Sequence, residues 1–256
     1  MAVGPDRAVS RRGGGWTAAA FAAALASTAE VGTTEASGTV APLSSVVRTA
    51  DRSVIPEGMS ALGTGFFIAP DRILTSAHVL AGCGVFVVAS PIMGVMPAAV
   101  VRREVTRDSA VLSVDRSSPF FLARAPTTPR RQGQSLRVFG FPEKGSAGSP
   151  PVSYPAWYES DLADRNGIPV IAVRAAIPPG VSGAPVLDST DAVVGVIVGR
   201  LDSDPQNVIA LSTEGLSPKT VKDFASAPAA QQPKANRATF LRSGEPQNAV
   251  VQIRCR

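Results

Sequence analysis

Residues 178–200 read PPGVSGAPVLDSTDAVVGVIVGR. One serine stands between two glycines, prolines fence it, and two apolar runs follow with a DSTD turn between them. GAPVLD and AVVGVIVGR are strand-length and rich in Val and Ile, so the stretch reads as a turn feeding a pair of strands. A connecting turn needs no such glycines. A serine that attacks a substrate does. Gly180 lets the backbone bend sharply, so that its own N–H and that of Ser182 converge on one point. Gly183 and Ala184 leave room for a substrate to approach. Ser182 is therefore the candidate nucleophile, and the amides of Gly180 and Ser182 are the candidate oxyanion donors. The plain alternative is a surface turn with an incidental serine. A lipase-like G-x-S-x-G elbow is absent, because Ala184 fills its last position.

The same pattern extends in both directions. On the N-terminal side lie LGTGFFIA, DRILTSA, GVFVVAS, MPAAVVRREV and SAVLSVD. After a linker at about 123–134 come SLRVFGF, PVSYPAWYES, IPVIAVR, the two runs already quoted, and NVIALS. Each is short, rich in Val, Ile or Phe, and bounded by Gly, Pro or Asp. About a dozen such runs in two groups predict an all-β pair of barrels or a sandwich. Helical signals arise once, in SPKTVKDFASA. There Ser217 is placed to cap and Pro218 to open a helix over 217–226, with Val221 and Phe224 on one face. Residues 227–256 read as a linker ending in one more strand, AVVQIRCR.

The single histidine, His78, sits where the β-pattern Arg72–Thr75 gives way to a short Ala-rich turn, a place that projects a side chain from a barrel rim. A lone histidine excludes a multi-histidine metal site; no metal or cofactor is expected. An imidazole takes and returns a proton near neutral pH, which is what a serine hydroxyl needs to become a nucleophile. Asp108, at the start of SAVLSVD, is the candidate that orients the ring. Asp71 and Asp115 are its rivals, one in the turn before the histidine strand and one at a strand's end. The order His–Asp–Ser discriminates further. Ser–Asp–His would indicate an α/β-hydrolase and Asp–His–Ser a subtilisin-type sheet, whereas His–Asp–Ser on a β-pattern belongs to a double barrel.

Composition sets the remaining bounds. A net charge of +5 falls to +3 once Arg7, Arg11, Arg12 and Asp6 of the first 26 residues are set aside. No Lys/Arg run is interleaved with aromatics, so nucleic acid is not an expected partner. Residues 1–29 read as a signal peptide: a positive stretch with Arg11-Arg12, an apolar run from Trp16 to Ala26, then small residues suited to cleavage. Residues 30–45 read as a flexible lead-in. The apolar run is too short for a membrane span and no other segment is long enough, so a secreted or periplasmic location is expected. Such a location permits a disulfide. Cys83 and Cys255 allow one internal pairing; two unrelated thiols are the alternative.

Taken together, GTGFFIAPDRILTSAHVLAG, RDSAVLSV and PPGVSGAPVLDSTDAVVGVIVG resemble the trypsin-like serine peptidases of the chymotrypsin fold, and are most similar to the bacterial HtrA/Deg-like branch. The resemblance covers roughly residues 46–226. It implies two antiparallel six-stranded β-barrels, about 46–122 and 135–214, with the site in the cleft between them. By the same resemblance His78 is the general base, Asp108 orients it, Ser182 attacks, and the N–H groups of Gly180 and Ser182 bind the oxyanion. A substrate pocket is implied near Ala176, Val198, Gly199 and Arg200. Ala176 brings no carboxylate, so small apolar side chains are expected at the cleavage site. Arg200 is read as solvated, the alternatives being that it faces the pocket and favours an acidic side chain or blocks entry.

Two departures stand out. Val181 replaces the Asn or Asp usual before the serine, and no IVGG-like activation site lies near 46–62, so activation by a freed N-terminus is not expected. Nothing after residue 226 is long enough for a PDZ module. The expected function is an exported serine endopeptidase acting on protein or peptide through an acyl-enzyme. The runner-up is an inactive trypsin-fold binding or scaffold protein, and a weaker third is a charge-driven binder of anionic polymers or membranes.

Overall fold

The computed structural model describes residues 55–144, 149–201, 204–225 and 245–256. The expected signal peptide, the lead-in and the linker up to residue 244 lie outside the described residues. The apolar runs form twelve strands and one α-helix among the described residues. In chain order these are β1 (Ser60–Ala69), β2 (Arg72–Thr75), β3 (Phe86–Ser90), β4 (Gly94–Glu104), β5 (Ser109–Val114), β6 (Ser135–Gly140), β7 (Val152–Ala163), β8 (Pro169–Arg174), β9 (Pro185–Leu187), β10 (Val193–Leu201), β11 (Asp204–Ser212), α1 (Pro218–Ala225) and β12 (Val250–Cys255).

Two closed barrels result, with six antiparallel strands each. Going round the first, the order is β3-β12-β1-β2-β5-β4; round the second it is β9-β6-β7-β8-β11-β10. The two circuits match strand for strand, with β12 holding in the first barrel the place that β6 holds in the second. β12 pairs antiparallel with β1, Val250 opposite Phe66, and with β3, Cys255 opposite Phe86. The tail strand read from the sequence is thus an integral stave. The first barrel reaches beyond the 46–122 stretch, because the gap between β1 and β3 is filled by a strand from 250–255. Val250, Val251 and Ile253 are fully buried there. At roughly 1.5–3 kcal/mol for each large apolar side chain removed from water, β12 contributes substantially to closure. Crowding at the seam explains a glycine: a Cβ on Gly65 would lie 2.9 Å from Ile73 Cγ2 and 3.0 Å from Ile253 Cδ1.

Cys83 and Cys255 are joined by a disulfide across 172 residues of sequence, with Cα atoms 5.9 Å apart. The end of β12 is thereby fastened to the loop before β3.

One apolar cluster fills the first barrel, with Phe66, Ile73, Met96 and Leu112 at its centre, and continues across the junction to Phe139, Leu187 and Leu211. A second, around Val138, Ile171 and Val186, fills the other barrel. The linker is laced into the second barrel: Ala125 N–H donates to Val193 O, and Val193 N–H to Ala123 O, at 2.8 Å each. α1 begins as its sequence predicts, Ser217 Oγ accepting from the Thr220 N–H at 3.3 Å, with Val221 and Phe224 against the first cluster. Among the described residues, no helix is long and apolar enough to cross a membrane.

Candidate active site

His78 lies in a 3₁₀ turn, Ala77–Leu80, at the end of β2. Its neighbours Ala77, Val79 and Leu80 are buried while His78 itself is exposed. The apolar residues pin the turn to the core, and the imidazole is what remains to project. Asp108 follows the 3₁₀ turn Val105–Arg107 and closes it, in the left-handed conformation at φ 47°, a region Asp tolerates better than most residues. That conformation turns its carboxylate back toward β2. Oδ1 accepts the His78 backbone N–H at 2.9 Å, and Oδ2 sits 2.7 Å from the ring's Nδ1. A carboxylate only accepts, so Nδ1 carries the proton and a neutral ring keeps its lone pair on Nε2. The rival carboxylates are elsewhere: Asp71 is paired with Arg72, and Asp115 is exposed at the end of β5.

The Asp108 loop is held from both barrels. Arg107 reaches across to the Gly215 carbonyl at 2.5 Å. Glu104, at the end of β4, accepts from the hydroxyls of Ser217 (2.6 Å) and Ser109 (3.2 Å). Arg102 pairs with Asp223 on α1, so the helix braces the same corner.

Ser182 occupies a turn whose peptide planes are each fixed. The Pro179 carbonyl accepts from Glu143 N–H at 2.9 Å and the Val181 carbonyl from Ala184 N–H at 3.0 Å. In a trans peptide the C=O and the following N–H point in opposite directions, and no peptide bond here is cis. The N–H groups of Gly180 and Ser182 therefore point away from those anchors. Among the described residues neither serves as a donor within the protein. Gly180 (φ 93°) and Gly183 (φ 83°) are both left-handed. Each is also pressed against backbone: a Cβ on Gly180 would lie 2.3 Å from Glu143 N, and one on Gly183 2.1 Å from Thr64 O. Val181 is buried in the second barrel's apolar cluster. The position where the resembled family carries a polar residue is thus secured by packing.

One carbonyl is shared by the two halves. Ile197 O accepts from Ser76 Oγ, two residues before His78, and from Gly183 N–H, one residue after Ser182, both at 2.7 Å. The structure so brings His78 and Asp108 into direct contact, and clamps the Ser182 turn to the segment leading into His78. Among the described residues no hydrogen bond joins Ser182 Oγ to His78; such bonds are often long before a substrate is present. Further along β10, Val198 and Gly199 are half-buried, and a Cβ on Gly199 would meet only open space. Arg200, read from the sequence as solvated, is exposed but anchored: its guanidinium donates to the Ile177 carbonyl, next to Ala176. The four residues read as a pocket thus belong to two segments that the Arg200–Ile177 hydrogen bond links.

Sequence reasoning missed Thr64, Thr75 and Ser76, hydroxyl residues that are wholly buried at the junction. Their signal was weak: three small polar residues inside runs otherwise destined for a core.

The sequence profile of the trypsin-like peptidase domain matches residues 63–196, just over half of the chain. The chain belongs to this family. The matched region holds His78, Asp108, Gly180 and Ser182, while Val198, Gly199 and Arg200 lie just beyond it. Among curated relatives of this trypsin-like peptidase, the serine protease Rv3671c of Mycobacterium tuberculosis (strain ATCC 25618 / H37Rv) is 31% identical over 186 residues, covering 69% of this chain and 46% of its own. The uncharacterized protein y4bJ of Sinorhizobium fredii is 32% identical over 164 residues, covering 63% of this chain and 25% of its own. The chain thus spans less than half the length of these relatives. Among solved structures, the active form of the Rv3671c protease from M. tuberculosis superposes with a TM-score of 0.56 at 27% identity, covering 68% of this chain and 81% of that one. The HtrA-type protease AlgW with a decapeptide shares the fold, with a TM-score of 0.56 at 21% identity over 64% of this chain and 51% of that one.

Proposed function

We propose that this trypsin-like peptidase is an exported serine endopeptidase in which His78, Asp108 and Ser182 act together. The observation that carries the reading is the shared Ile197 carbonyl, which ties the nucleophile turn to the segment bearing an imidazole already gripped by a carboxylate. Ser182 Oγ attacks the scissile carbonyl as Nε2 of His78 takes its proton. Asp108 holds the tautomer and stabilises the imidazolium. The negative oxygen of the tetrahedral intermediate is received by the N–H groups of Gly180 and Ser182, which have no competing protein acceptor. Collapse breaks the C–N bond, and His78 returns the proton to the departing amine. Water then enters, loses a proton to His78, and releases Ser182 from the acyl-enzyme. Removing one such oxyanion donor costs other enzymes about 10²–10³ in kcat.

The buried Val181 supports a turn that is ready without a freed N-terminus. The segments of Ala176 and Val198–Arg200 are the proposed walls of the substrate pocket, open to small apolar side chains because Ala176 contributes no charge. The apolar leader and the Cys83–Cys255 disulfide support export to an oxidising compartment; N-terminal sequencing of protein recovered from outside the cytoplasm tests this, and an intact leader there would contradict it. The test of activity is covalent labelling by an alkyl fluorophosphonate. Wild type is expected to label and Ser182→Ala to remain unlabelled. A well-folded wild type that stays unlabelled would instead support the scaffold reading.

A further inference from the structure

Thr64 is fully buried in β1 of the first barrel, yet all of its polar groups are engaged. Its N–H donates to the Ser182 carbonyl at 2.8 Å. Its carbonyl accepts from the Thr75 hydroxyl at 2.7 Å. Its own hydroxyl donates to the Gly180 carbonyl at 3.1 Å and accepts from Phe141 N–H at 2.9 Å. One residue of one barrel therefore grips the nucleophile turn of the other at both ends.

We propose that Thr64 is a positioning residue for the reaction: its hydroxyl fixes the Gly180–Val181 peptide, and so holds the two amides of the turn in register with the attacking serine. The inference rests on the endopeptidase reading above. Its physical basis is the freedom of glycine. Gly180 sits at φ 93°, where no side chain restrains rotation about its two soft bonds. Glu143 N–H fixes the peptide before Gly180, and the Thr64 hydroxyl fixes the peptide after it. Together they determine both torsions of the one residue able to swing an oxyanion donor out of place. Only a group that donates and accepts at the same atom satisfies both the Gly180 carbonyl and the Phe141 N–H, which is the property of a hydroxyl. The surroundings are close-packed as well: a Cβ on Gly140 would lie 2.6 Å from Val181 Cγ1 and 3.3 Å from Thr64 Oγ1.

The test compares wild type, Thr64→Val, which keeps the shape and removes the hydroxyl, and Thr64→Ser, which keeps the hydroxyl. Each is assayed for the rate of alkyl fluorophosphonate labelling, the affinity for an alkyl boronic acid that forms a tetrahedral serine adduct, and the thermal midpoint. Loss of one oxyanion donor costs about 10²–10³, and loosening one costs less. Thr64→Val is expected to label about 10- to 100-fold more slowly and to lose boronate affinity in parallel. Thr64→Ser is expected to recover to within about threefold of wild type, since the hydrogen-bonding atom is restored. If Thr64→Val loses only thermal stability, with labelling and boronate affinity per folded molecule intact, the inference is wrong. Should Thr64→Val fail to fold, Thr64→Ala carries the same comparison, and failure of both to fold assigns Thr64 to the fold alone and overturns the proposal. Ser182→Ala separates the two readings. If that variant still labels, the endopeptidase reading fails; if it does not label while Thr64→Val behaves as wild type, only the role of Thr64 fails.

Discussion

Asp108 works through two separate oxygens, one on the His78 backbone and one on its ring. That double grip makes Asp108→Asn informative. Because the His78 backbone N–H needs an acceptor, the amide oxygen stays on it and the NH2 group faces Nδ1, a contact that survives only if the ring takes the other tautomer. A fall of about 10⁴ in kcat is expected with little change in thermal midpoint, since comparable changes in other triads act through the tautomer. Steady-state kinetics beside a melting curve checks this, and a loss of stability equal to the loss of rate would contradict it. Gly183 is the opposite case. With positive φ and a would-be Cβ 2.1 Å from Thr64 O, Gly183→Ala is expected to cost more than about 2 kcal/mol of stability, because the clash is with backbone that cannot step aside. Denaturant titration reads it. At this scale the sequence was informative where the chemistry is unusual. A lone histidine, an aspartate at a strand start and a glycine-flanked serine announce themselves. Thr64 and Ser76 do not, because a hydroxyl inside an apolar run says nothing about the carbonyl it meets more than a hundred positions away. The anchoring of the exposed Arg200 was illegible for the same reason: its acceptor, the Ile177 carbonyl, belongs to another segment.

Among the elements, the loop leading out of β11 shows how charge braces the second barrel. The Arg130 guanidinium, nearly buried, lies 3.1 Å from Glu214 and 3.2 Å from Asp161. Burial pushes the Glu214 carboxyl up, but the Ser212 hydroxyl, its own backbone and Arg130 together outweigh this and hold it below its ordinary value of 4.5. A carboxylate depressed by folding stabilises the native state above its unfolded pKa, and that contribution is lost as pH falls through the folded value. Wild type should therefore exceed Glu214→Gln in stability near neutrality, with the gap closing as pH drops below 4.5. Urea midpoints across that range test the sign, and a gap that widens in acid would refute it. Strand positions were legible throughout, since period-two and continuous apolar runs with Gly, Pro or Asp between them are local signals. The partner of AVVQIRCR was not. Nothing in six residues states that they lie between β1 and β3.

For the molecule as a whole, the staple between Cys83 and Cys255 is the long-range constraint. It closes a loop of 172 residues, for which about 2–4 kcal/mol of stabilisation is typical. Cys255→Ser, or treatment of wild type with a thiol reductant, is expected to lower the denaturation midpoint accordingly, with the two effects not adding. Full additivity would mean that the thiols act separately. Double-barrel architecture followed from the His–Asp–Ser order and the two groups of strands. The closure of one barrel by a distant strand did not, because topology of that kind resides in pairing between remote segments.

The placement of β12 carries a consequence for biosynthesis. A ribosome translates β1 to β5 early, but the barrel that presents His78 and Asp108 cannot shut until residues 250–255 have emerged, after every stave of the second barrel. Nascent chains that stop short of β12 lack the stave between β1 and β3, so the barrel bearing His78 and Asp108 closes only after the strands of the second barrel have been translated. The cost is a slow, late docking step, as expected when native neighbours are far apart along the chain.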